Sequence, residues 1–144
     1  MVAVEVLRAE LEDWCAGYIE AFMVFDGAKI AEFWAFPATV SQSGRIFLFK
    51  DETAFAGNTQ KLCGFYQREG VVKAERTVLE VLALGPDTAS MRVADVMYDR
   101  TGEALAQWEA GYTLQRLDGG WKAVFAVADG ETENWAARGT PLGH

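Results

Sequence analysis

The chain has 144 residues, 51% of them apolar and 24% charged, a size and balance that fit one globular domain and exclude a globally disordered chain. Thirteen basic against twenty-one acidic residues leave a formal charge of −8. That field repels phosphate backbones and anionic lipid, so neither nucleic acid nor a membrane surface is an expected partner.

The first element runs from about Glu5 to Phe25. Leu7, Leu11, Trp14, Tyr18, Phe22 and Phe25 recur at spacings of three and four and form one apolar stripe. Asp26-Gly27 breaks this helix, and Asp26 is placed to cap a second one. That helix carries Ile30, Phe33 and Trp34 and ends before Pro37. Ala38–Gln42 and Arg45–Phe49 then read as a strand pair joined at Ser43-Gly44. A third helix starts at Asp51 or Thr53, presents Phe55, Leu62, Phe65 and Tyr66 on its apolar face, and closes at Gly70.

From Val71 the pattern is all strand. Val71–Leu84, Ala89–Tyr98, Ala104–Leu117 and Trp121–Ala128 are separated by turn residues and make an antiparallel meander. The core is expected at about 5–129, with a polar tail at 130–144 onto which only Trp135 confers a reason to fold back. Early helices followed by a late meander give an α+β class: three N-terminal helices packed in the concave face of a strongly curved, mostly antiparallel sheet.

Cys15 and Cys63 both fall in helices and read as free, buried thiols. No basic start leads into an apolar run, and no stretch approaches the ~18 apolar residues of a membrane span, so the expected compartment is the cytoplasm. The one histidine is His144, the last residue. A Ser-His-Asp triad, a Cys-His pair and a His-ligated metal are therefore not expected, and neither a metal nor a cofactor is called for. Acid–base work would fall to Asp, Glu, Tyr or Lys.

The order of elements, with particular residues, resembles the nuclear-transport-factor-2-like superfamily. The matching stretches are Tyr18-Ile-Glu-Ala-Phe leading to Asp26, Ile30-Ala-Glu-Phe-Trp, Phe36-Pro-Ala-Thr-Val, Asp87-Thr-Ala, Tyr112-Thr-Leu and Asp118-Gly-Gly-Trp-Lys. The resemblance implies a cone whose bent sheet wraps the helices and whose open end leads to a cavity. Members include ketosteroid isomerase, polyketide cyclases, limonene epoxide hydrolase and non-catalytic binding domains, so the fold alone gives no function. Tyr18 matches the helical tyrosine of ketosteroid isomerase, whose base falls on or beside Gln42 and whose oxyanion-hole acid falls near Thr113. Neither is a carboxyl. The cyclase histidine is absent. Of the epoxide hydrolase set, Arg92 and Asp95 stand three apart and point to opposite faces of a regular strand. Its later Asp falls at Ala123.

Three candidates for proton transfer remain: Asp95, which shares strand parity with Met91, Val93 and Met97; Tyr18; and Glu109. The length of the Asp118-Gly-Gly turn decides whether Glu109 or Trp108 and Tyr112 face inward, together with Ala123 and Phe125. Trp14, Tyr18, Phe22, Phe33, Trp34, Gln42, Tyr66, Tyr112 and Phe125 form the candidate ligand-lining set. The reading favoured is a domain that binds a small apolar or amphipathic molecule. Two alternatives stay open: a divergent isomerase, cyclase or dehydratase using Asp95 or Glu109 with Tyr18, and a homodimeric interaction module built on the sheet face of Trp108, Tyr112, Val124 and Ala126.

Overall fold

The computed structural model describes residues 3–142, so His144 lies outside the described residues. α1 (Val4–Met23) buries Leu7, Leu11, Trp14, Cys15, Tyr18 and Ala21 along one face. Asp26 caps α2 (Gly27–Ala31), its carboxylate accepting from Ala28 and Lys29 N–H. α2 is shorter than the apolar pattern suggested. The Phe33 carbonyl accepts from Ala123 N–H at 2.9 Å, and this pairing draws Trp34 out of the helix into β1 (Trp34–Gln42).

β2 (Arg45–Phe49) completes the first hairpin. α3 (Glu52–Glu69) begins at an Asp51 cap and ends at Gly70, whose φ of 86° lies in the left-handed region that glycine reaches without strain. β3 (Lys73–Gly85), β4 (Thr88–Tyr98), β5 (Ala104–Leu117) and β6 (Gly120–Val127) form the meander. The six strands are ordered β2-β1-β6-β5-β4-β3, antiparallel throughout except where β1 runs parallel to β6. Helices then a curled, mostly antiparallel sheet is the α+β arrangement that the sequence pattern called for.

The segment after Asp129 corrects the reading of a polar tail. It is a fourth helix, α4 (Asp129–Arg138), with acidic residues in its first turn, Arg138 in its last and Gly139 closing it. Trp135 is 0% exposed and forms a second apolar cluster with Phe65, Tyr66, Met97, Ala106 and Trp108. α4 sits flush on β5 because Gly130 has no side chain: a Cβ there would stand 2.5 Å from the Glu109 carbonyl oxygen. No helix among the described residues is long and apolar enough to cross a membrane.

Candidate functional site

The side chains of the inner sheet face are set by register. Asp118 (φ 42°) and Gly119 (φ 87°) form a two-residue turn of the mirror-image type that suits hairpins. Leu114 therefore pairs with Ala123, but a bulge at Val124 puts Thr113 opposite Phe125 and Tyr112 opposite Ala126. Trp108, Tyr112 and Leu114 face inward with Ala123 and Ala126. Phe125 turns outward with Thr113 and leaves the candidate lining set. Glu109 also faces out, held 2.5 Å from Arg92 with 60% of its side chain exposed. The inward course of Trp108, Tyr112 and Ala126 removes these three from any surface that a second copy could touch.

Asp95 is buried as its parity required, and it has a partner that no motif suggested. Register irregularities between Ala83 and Gly85 and between Val78 and Glu80 bring Arg76 directly opposite it. The guanidinium donates Nε to Oδ1 at 2.7 Å and Nη2 to Oδ2 at 2.8 Å, a two-pronged pair whose side chains are 4% and 5% exposed. Arg76 Nη2 also donates to the Tyr112 hydroxyl at 2.9 Å, and the guanidinium lies 4.7 Å from the Tyr112 ring centroid and 5.5 Å from that of Tyr18. Both Asp95 oxygens are thus committed to a fixed cation.

Tyr18 stands beside this pair on α1. Its hydroxyl accepts from the Trp34 indole N–H at 3.0 Å, and burial pushes it well above the ordinary tyrosine range, as burial also raises Tyr112. Both remain neutral donors at physiological pH. Each accepts one N–H; the Tyr18 hydroxyl is also raised by its hydrogen bond to Tyr112, and the Tyr112 proton is left available for a further acceptor. Trp14 stacks behind Tyr18 at 4.6 Å and Phe33 meets it edge-on at 5.7 Å. These two rings support Tyr18 from the core and line neither cleft nor cavity.

Tyr18, Phe22, Trp34, Phe49, Phe55 and Tyr112 line a cleft of about 910 Å³ between α3 and the sheet. Gln42 lies along it and donates to Thr132 on α4, tying the end of β1 to that helix. Glu131 of α4 also borders the cleft. Its Oε2 accepts from the Tyr66 hydroxyl and from Trp135 Nε1 at 3.2 Å. Burial pushes its carboxyl up to about 7, against the lowering effect of those two bonds. A smaller cavity of about 60 Å³ separates Glu131 and Tyr66 from Arg76 and Asp95.

Sequence reasoning missed Arg76 and Glu131. Arg76 carried a weak signal, an arginine sharing strand parity with Ala74 and Val78, whereas Glu131 had only the helix-like pattern of acidic start, Trp135 and Gly139. Among the described residues no three His, Cys, Asp or Glu side chains converge as metal ligands, and Cys15 and Cys63 are free.

Helices held in a curled six-stranded sheet, with a cleft beside α3, define the cystatin-like class of nuclear-transport-factor-2-like folds. The chain belongs to the family described as NTF2-like protein (DUF6841), which matches residues 9–131. Among solved structures it is similar to a domain of unknown function with a cystatin-like fold from Nostoc punctiforme (16% identity, TM-score 0.67, covering 88% of this chain and 77% of that one). It is also similar to a ketosteroid isomerase-like protein from Erwinia carotovora atroseptica (18%, 0.61, 83% and 92%). A third is an NTF2-like protein from Novosphingobium aromaticivorans (19%, 0.63, 83% and 79%). At these identities the likeness shows the fold. No curated protein sequence matches the chain.

Proposed function

We propose that the protein binds a small apolar or amphipathic molecule in the cleft between α3 and the sheet. The observation that carries this reading is the pairing of an aromatic-lined space of about 910 Å³ with the neutral hydroxyls of Tyr18 and Tyr112 at its inner wall. Sites for drug-sized molecules have this make-up, mainly apolar walls with a few fixed polar groups. Arg76, beneath both rings, polarises the Tyr112 hydroxyl toward donation, so the wall suits a carbonyl, ether or hydroxyl oxygen of the ligand. A thermal-shift screen over apolar ketones, alcohols and hydrocarbons tests this. A ligand at 100 times its dissociation constant adds ~2.7 kcal/mol of stability. The expected hits are oxygen-bearing compounds whose effect falls in Tyr112→Phe; a screen in which nothing shifts the midpoint overturns the reading.

The enzymatic alternative loses both of its carboxylate bases, since Glu109 faces solvent and Asp95 is bound at both oxygens by Arg76. A homodimer through the outer sheet face is a second reading, favoured by the exposed apolar side chains of Ile46, Leu48 and Val127. Light scattering tests it, and a strict monomer at all concentrations counts against it.

A further inference from the structure

Glu131 is half-buried and differs from the buried Asp95 in its bonding: only one of its oxygens is used. Tyr66 O–H and Trp135 Nε1–H both donate to Oε2, and these two rigid ring systems fix the carboxyl in place. Oε1 accepts no hydrogen bond from the described residues, yet it is not sealed from solvent. Glu131 lines both the cleft and the small cavity, so a molecule lying in the cleft meets this side chain.

The surrounding charges do not neutralise it. Arg76 from β3 and Asp95 from β4 face it across the small cavity but are spent on each other. Tyr66 from α3 and Tyr112 from β5 are raised by burial and stay uncharged. Lys61 and Arg68 border the cleft from exposed positions on α3. An ionised Glu131 is thus an uncompensated negative charge against an apolar wall, which is why its carboxyl holds a proton up to about pH 7. A ligand bringing its own positive charge would relieve that penalty.

We propose that Glu131 anchors the protonated amine of a small amphipathic ligand, the ammonium donating to Oε1 while the apolar body lies along Phe22, Trp34 and Phe55. An oxygen elsewhere on the same ligand then meets Tyr18 or Tyr112. The inference rests on the ligand reading above and adds the chemistry of the head group.

The test is calorimetric titration at pH 8 with three probes sharing one apolar body: 4-phenylbutylamine, 4-phenylbutanol and 4-phenylbutyrate. The amine is expected to bind at least about tenfold tighter than the alcohol, an advantage of ~1.4 kcal/mol. Glu131→Gln should remove that advantage. The wild-type protein needs no variant for the second readout. Amine binding favours ionised Glu131, so at pH 7 it should release up to about half a proton, seen as a buffer-dependent heat, and affinity should rise from pH 6 to 8. Equal or tighter binding of the alcohol or the acid, or an amine preference that survives in Glu131→Gln, overturns the proposal and leaves the ligand reading standing. Binding of none of the three overturns both.

Discussion

Two carboxylates, Asp95 buried and Glu131 half-buried, line one small cavity and have opposite fates. Asp95, on β4, is met by an arginine that bonds both its oxygens, and the pair is closed to solvent. Glu131, on the last helix, borders the cleft with one oxygen pinned and the other without a partner among the described residues. Burial alone does not distinguish a functional carboxylate from a structural one. The distinction lies in whether the fold supplies a countercharge: the first group is complete in the folded protein, and the second is complete only when something else arrives.

The largest effect that can break this contrast is removal of the countercharge. Arg76→Met strands a buried Asp95 and should cost ~3–5 kcal/mol in urea unfolding, while Arg76→Met with Asp95→Leu should recover most of that loss. A single variant close to wild type would mean that the pair is not sealed. Trp135→Ala should cost a similar ~3–5 kcal/mol, because it empties the centre of the second apolar cluster. A loss under about 1 kcal/mol would show α4 to be detached from the fold, and Glu131 with it.

A smaller effect separates the two donors that hold Glu131. Tyr66→Phe removes one bond to Oε2 and should cost ~1.5–3 kcal/mol at pH 8. It should also raise the Glu131 carboxyl further above about 7, read by carbon NMR of the labelled side chain. A downward move would reverse the role assigned to Tyr66. Glu131 also leaves a mark on stability against pH. Its folded value lies above the ordinary 4.5, so between about pH 4.5 and 7 the unfolded chain gives up this proton while the folded chain keeps it. Stability is fully present below that window and falls as pH rises through it. Allowing for partial exposure, wild type should lose roughly 1–2 kcal/mol relative to Glu131→Gln across it. Parallel curves for the two proteins would remove the carboxyl from the account. The smallest expected change is that of Glu109→Gln, whose exposed pair with Arg92 should leave the unfolding midpoint where it was. A marked loss there would place Glu109 in the interior after all.

Most of the fold was legible because its signals are local. Asp26 and Asp51 as caps, Gly70 as a stop and the 104–117 strand could be read from a few neighbouring residues each. The site was legible only in part. Tyr18, Phe22, Trp34, Gln42 and Tyr112 border the cleft and Tyr66 the smaller cavity beside it, but Trp34 does so from β1 rather than from the second helix, and the inward face of the strand that carries Tyr112 was open in the sequence. Phe125 borders neither, because the bulge at Val124 moves it by one residue and so to the other face. Arg76 meets Asp95 only after two register shifts; a regular hairpin would have set it opposite Met97. Glu131 was hidden because a short, polar helix has no apolar stripe of its own, and Trp135 supplies nearly all its burial.

The most direct test is a crystal structure of the protein grown with 4-phenylbutylamine at pH 8. The account predicts the ammonium within about 3 Å of Glu131 Oε1, its ring between α3 and the sheet, and Arg76 still gripping Asp95. A cleft closed by α3 against β1, or an amine bound elsewhere with Oε1 left facing solvent, would contradict it.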